Sequence, residues 1–164
     1  MNSEALKRGA VAGMIGGVVM AMWSMIVLAV TGSGFWTPLN LIAHTVWRSA
    51  PLGASFSVGA LVIGLVIHMM MSMILGMVLA AAIAGVAPLR RNQAVLAMAG
   101  MVVGLVVWLI MQYGVWKVVD AEAARAFTPW VFAVGHLMYG AVTALVVGTR
   151  AATRRASTAQ GLSA

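Results

Sequence analysis

The chain has 164 residues, 63% of them hydrophobic and only 8% charged, a balance far outside the soluble range that places it in a bilayer. It has no cysteine, which excludes disulfides, thiol redox chemistry, Cys-ligated zinc and iron–sulfur clusters. The formal charge of +7 does not point to nucleic acid, because the basic residues flank apolar segments and form no patch with interleaved aromatics.

The first apolar run, from about Ala10 to Val30, has the ~20 residues needed to cross a hydrocarbon core. It is too long for a signal-peptide core of roughly 7–15 residues, so a retained span is expected. Thr31 to Ser57 then forms a loop with structure of its own. Thr37 reads as an N-cap with Pro38 in the first helical position, and Leu39, Ile42, Ala43, Val46 and Trp47 recur at helical spacing opposite Asn40, His44 and Arg48. This pattern predicts a short interfacial helix with His44 solvated on its polar face.

A second span covers about 58–86 and ends at Pro88, Arg90 and Arg91; a third covers about 94–115 and carries Trp108, Gln112 and Tyr113. Asp120, Glu122 and Arg125 read as a solvated connection. The fourth span, about 129–148, opens with Thr128 as N-cap, Pro129 and Trp130. Residues 1–149 therefore form one all-α, polytopic domain of four transmembrane helices, and residues 150–164 a basic tail expected to be disordered in the cytoplasm. Lys7 and Arg8, Arg90 and Arg91, and Arg150, Arg154 and Arg155 share one side, against Arg48, Lys117 and Arg125 on the other. By the positive-inside rule both termini are cytoplasmic.

The two halves match in order. Gly13-Met14 with Gly17 corresponds to Gly100-Met101 with Gly104, Phe35-Trp36-Thr37-Pro38 to Phe127-Thr128-Pro129-Trp130, and His68-Met69-Met70 to His136-Leu137-Met138. These matches suggest a duplicated helical hairpin. His68 and His136 are the only ionisable groups within the apolar runs of the second and fourth spans, and each heads a stripe of small residues. Gly64, Ser72 and Gly76 accompany the first, and Gly140, Ala144 and Gly148 the second. With Gly13, Gly17, Gly100 and Gly104 these are the expected helix-packing positions.

Three roles for the histidines follow. In the first, neutral imidazoles fasten helices by hydrogen bonds. In the second they ligate haem b from two helices. In the third they join Met69, Met70 and Met138 in a copper site of soft thioethers, although 14 methionines spread over every span also serve as apolar filling. No carboxylate lies inside a span, and no phosphate loop, HExxH helix or nucleophile elbow occurs, so an enzyme is not expected.

The stretches Gly34-Phe35-Trp36-Thr37-Pro38-Leu39-Asn40, His68-Met69-Met70-Met71-Ser72, and Phe127 to Gly140 through Gly135-His136 resemble those of small four-span bacterial membrane proteins of unknown function. The resemblance covers most of residues 10–149 and implies a bacterial cytoplasmic (inner) membrane setting; it implies no catalytic residue. The expected protein is a non-enzymatic accessory or packing subunit, embedded in lipid and forming a homo-oligomer or larger complex. A small haem b or copper carrier and an oligomeric small-solute transporter are the alternatives.

Overall fold

A computed structural model describes residues 3–86 and 92–161, with side chains over 3–86 and 92–148. Pro88, Arg90 and Arg91, and the side chains of Arg150, Arg154 and Arg155, lie outside the described residues. The described residues form helices and no strand. They are α1 (Ser3–Val30), α2 (Thr37–His44), α3 (Val58–Gly85), α4 (Gln93–Ile110), α5 (Trp116–Val119), α6 (Ala121–Ala126) and α7 (Pro129–Gly161). Between α4 and α5 the chain widens into one turn of π-helix, Met111–Val115. Four stretches are long and apolar enough to cross a membrane: Ser3–Val30, Val58–Gly85, Gln93–Val119 and Pro129–Gly148.

Local chemistry sets several boundaries. The Ser57 hydroxyl accepts from the Ala60 N–H at the start of α3, and the Asn92 side chain accepts from Ala94 and Val95 at the start of α4, each satisfying donors that a helix N-terminus leaves open. Gly34 turns the chain from α1 into α2 with φ +100°, a conformation that disfavours side chains, and Ala54 fills the space a Cβ would need. α7 continues beyond the expected end of its span to Gly161. The Ala- and Arg-rich sequence there has good helix propensity and extends a helix already nucleated, where the sequence reading expected an irregular tail.

Neighbouring helices run antiparallel and approach through small residues. Gly13 of α1 lies against the Ser72 carbonyl and Gly76 of α3, and Gly17 lies against the Ser72 side chain and the His68 ring. In the other half Gly100 of α4 lies against the Gly140 carbonyl and Ala144 of α7, and Gly104 against the His136 carbonyl. A methyl group at any of these four glycines would collide with the facing helix. α1 joins the pairs by packing along α7, where Gly16 meets Tyr139 and Thr143, and Gly148 meets Leu96 on the α4 side.

The packing order is therefore α3, α1, α7, α4. α3 and α4, consecutive in sequence, share no extended seam. They come together near the end that carries the N-terminus of α1, where Leu79 and Ile83 cluster with Leu96 and Ala144. At the opposite end Leu28, Leu41, Ala123, Phe127, Val131 and Phe132 form a second cluster joined by Trp23, Trp108 and Trp116.

α2 differs from its expected form. Its polar face points into the protein: Asn40 and His44 are buried, and Asn40 donates through Nδ2 to the Gly53 and Ser55 carbonyls at 2.7 and 2.8 Å. The helix packs on α3, with the Leu39 carbonyl against Gly64. Thr37 is not the N-cap; that position belongs to Trp36, and the Thr37 hydroxyl donates back to the Ser33 carbonyl at 2.6 Å. A short segment between bundle ends can bury its polar side chains wherever loop carbonyls and a carboxylate meet them, a long-range circumstance that local periodicity does not contain.

Candidate functional site

Against the second cluster, whose Trp108, Trp116, Phe127 and Phe132 form part of its wall, lies a half-open cavity of about 260 Å³. α1 contributes Met20, Ala21 and Ser24, α2 covers it with Pro38, Leu39, Ile42 and Thr45, and α3 supplies His68, Met71, Ser72 and Leu75. Trp108, Met111 and Gln112 enter from the α4 side, and Phe132, His136 and Tyr139 from α7. His68 and His136 thus line one chamber, although they lie on helices that have little direct contact.

Each imidazole is held by a backbone carbonyl. His68 donates from Nε2 to Gly17 of α1 at 2.9 Å, and His136 from Nδ1 to Phe132, one turn earlier in its own helix, at 2.7 Å. A carbonyl only accepts, so in the neutral rings Nδ1 of His68 and Nε2 of His136 are the remaining acceptors. Tyr139 donates to the Ser72 carbonyl at 2.6 Å, and the Thr143 hydroxyl reaches the Ala12 carbonyl at 3.5 Å.

Two buried donors on residues that border the chamber have no protein partner. The hydroxyl of Ser24, a residue only 2% exposed, and the indole N–H of Trp108 are both buried without a hydrogen bond. Unpaired buried donors cost about 1–3 kcal/mol each, and both atoms are covered by protein and not opened to the chamber. Gln112 sits in the π-helical turn, a distortion that recurs at functional sites, and its amide has no hydrogen-bond partner among the described residues. Trp108 was singled out in the sequence only as a residue of the third span, and Ser24 not at all; a serine in an apolar span was the available signal.

The copper-site methionines are not part of this chamber. Met69, Met70 and Met138 do not line it, and Met70 is 51% exposed on the outer face of α3. At helical spacing, residues one and two places after an inward histidine turn away from it. Among the described residues no three His, Asp or Glu side chains gather at one point. For haem b the fit is poor: the lining has no cation for propionates, and His68 spends Nε2 on Gly17.

A second polar constellation lies outside the spans. Asp120, 3% exposed, accepts from His44 Nδ1 and Arg48 Nη1 at its Oδ2, both at 2.6 Å, while its Oδ1 accepts from the Ala123 N–H at 3.0 Å and caps α6. Arg48 also donates through Nη2 to the Val119 carbonyl at 2.7 Å. Burial by itself pushes the Asp120 carboxyl up, but the hydrogen bonds from His44 and Ala123 and the charges of His44 and Arg48 outweigh it and hold the group below the usual carboxylate range. The sequence reading placed both His44 and Asp120 in water; the structure corrects this, since each is the other's buried partner.

The fold and these sites define a multi-pass integral membrane protein, all-helical, with a polar-studded chamber inside its bundle. No family model, curated protein or solved structure matches the chain.

Proposed function

We propose that this protein is a non-enzymatic integral membrane protein that holds a small uncharged molecule in the chamber beneath α2. The observation that carries this reading is the apolar chamber lined by both His68 and His136, each of which keeps one ring nitrogen as an acceptor after bonding a backbone carbonyl through the other. At about 260 Å³ the chamber lies just below the usual range of ligand pockets, roughly 300–1,000 Å³, and its walls have the expected character, mostly apolar with a few convergent polar groups.

The same reading places the protein in a bacterial cytoplasmic membrane with both termini inside, so that α2 and α6 cover the chamber from the outer side. It also takes the bundle as a duplicated hairpin. The support is the register: Gly13 meets the Ser72 carbonyl as Gly100 meets the Gly140 carbonyl, and Ser72 and Gly140 each follow a histidine by four residues. An accessory subunit offering its glycine faces to a partner is less favoured, because those faces are already occupied within the chain.

Native mass spectrometry of protein extracted gently from its own membranes tests the proposal. A stoichiometric small-molecule adduct is expected on the wild type and its loss on Ser24→Val, His136→Leu. A wild type that carries only bilayer phospholipid, in the same amount as the double variant, would refute it.

A further inference from the structure

We propose that the chamber takes a lipid-soluble alcohol and that Gln112 is the side chain that receives its hydroxyl. This rests on the ligand-binding reading given above and names the chemical class of the occupant and the residue that anchors it.

Gln112 differs from the two covered donors. It is 8% exposed and lines the chamber, and its amide makes no hydrogen bond among the described residues. Unlike Ser24 Oγ and Trp108 Nε1, its amide atoms are not sealed by protein, and the little exposure the residue keeps is at the chamber wall. Burying an amide in apolar surroundings is costly unless a partner meets it, and the protein supplies none. The π-helical turn Met111–Val115 carries this side chain into the wall, between Trp108 and Trp116 of the same lining. Such turns give up regular helical geometry and recur at functional sites.

The polarity of the lining selects the ligand. Gln112 Oε1, His136 Nε2 and His68 Nδ1 are all acceptors, the last two because their other ring nitrogens donate to Phe132 and Gly17. A ketone, ester or ether only accepts and pairs with none of the three. An amine or a carboxylic acid brings a charge, and the lining holds no Asp, Glu, Lys or Arg to meet it. A hydroxyl donates without charge. One contact at Gln112 is enough, so the ligand needs no second polar group. The remaining wall, with Met71, Leu75, Met111 and Phe132, suits a hydrocarbon body.

Access points the same way. Gln112 lies within Gln93–Val119, a stretch long and apolar enough to cross the membrane. The chamber is half-open, and α3 and α4 share no extended seam that would close it from the lipid. A molecule already dissolved in the bilayer, apolar with one weakly polar end, therefore reaches the site from the side.

The test is photolabelling of the full chain in phosphatidylcholine nanodiscs, with a diazirine-bearing octanol and the methyl ether of the same molecule as probes and mass spectrometry to map the adducts. Saturable labelling of chamber residues by the alcohol is expected, with labelling by the ether weaker by roughly 2–10-fold, the range of one net hydrogen bond. Met98 and Val102, 66% and 62% exposed on the outer face of α4, should label alike with both probes and so correct for partition into lipid. Gln112→Met, which keeps the length of the side chain and removes the amide, should lower chamber labelling by the alcohol by a similar factor and leave that by the ether unchanged. The alcohol-to-ether comparison is made on the wild type and does not depend on the variant folding. Equal chamber labelling by the two probes would overturn the alcohol assignment and leave a chamber that recognises apolar shape. An alcohol preference that persists in folded Gln112→Met would overturn Gln112 as the anchor. Absence of saturable labelling in the wild type, with a native small-molecule adduct still present, would overturn the alcohol class alone, and absence of both would remove the ligand-binding reading as well.

Discussion

His44 Nδ1 and Asp120 Oδ2 lie 2.6 Å apart although 76 residues separate them in the chain, and their side chains are both almost fully buried. This contact ties α2, which covers the chamber, to the connection between the third and fourth spans. It gives a short helix, one that would be marginal alone, a fixed position over the bundle. Arg48 adds a second tie to the same carboxylate oxygen from a side chain that is 57% exposed.

Asp120→Ala is expected to free α2. The substitution leaves His44 and Arg48 without their carboxylate and removes the cap from α6, and losing one partner of a buried pair costs about 3 kcal/mol or more. Hydrogen exchange should rise over residues 37–48 and 120–126 while α1 and the Gly-packed seams stay protected. Uniform loosening of all four spans would mean that the contact holds the whole fold and not the cover.

The pH dependence of this tie has a definite sign. A carboxyl held below its ordinary value stabilises the folded state fully above the unfolded value, ~3.9 for aspartate, and that contribution disappears as pH falls through the lower folded value. Between pH 8 and 5 the Asp120 contribution should therefore be constant, and below about pH 4 the α2 region should open. Asp120→Asn should abolish that acid-induced opening. An opening midpoint above pH 5 that persists in Asp120→Asn would assign it to another group.

Helix placement was legible in the sequence, since 20-residue apolar runs depend on near neighbours in the chain, whereas the caps at Ser57 and Asn92 were not read and the one read at Thr37 belongs to Trp36. The two histidines were also legible as a pair, because an ionisable group in an apolar run is conspicuous wherever it occurs. The Asp120 tie was not. Nothing near His44 or Asp120 in sequence distinguishes a solvated loop from a buried pair, because each is explained only by the other. Ser24 was silent for a related reason: serine is common in packed membrane helices, and its significance here is the absence of a partner.

That absence has a consequence for stability. Replacing a buried serine ordinarily loses a hydrogen bond, whereas Ser24 makes none within the protein. Ser24→Ala should therefore leave the ligand-free protein as stable as the wild type or more stable by about 1 kcal/mol, the lower part of the cost of an unsatisfied buried donor. His68→Leu should destabilise, since it removes the bond to Gly17 across the α1–α3 seam. Unfolding in a graded detergent mixture, with ligand stripped beforehand, separates these opposite signs.

The proposed duplication of the hairpin makes its own quantitative demand. If Gly13 and Gly100 are equivalent positions, Gly13→Ala and Gly100→Ala should cost similar amounts, because each pushes a methyl group onto a backbone carbonyl, that of Ser72 in one case and of Gly140 in the other. A carbonyl on a facing helix cannot rotate away as a side chain does, so the helices must separate, and overpacking of this kind costs about 1–3 kcal/mol or more. Gly114→Ala is the internal reference. No atom lies near its prospective Cβ, and the lower backbone freedom of alanine should make that variant neutral or more stable by about 0.5–1 kcal/mol. Matched losses at positions 13 and 100 alongside a tolerated 114 would bind the two halves to one packing rule. A large loss at one and none at the other would make their sequence match a coincidence of apolar composition.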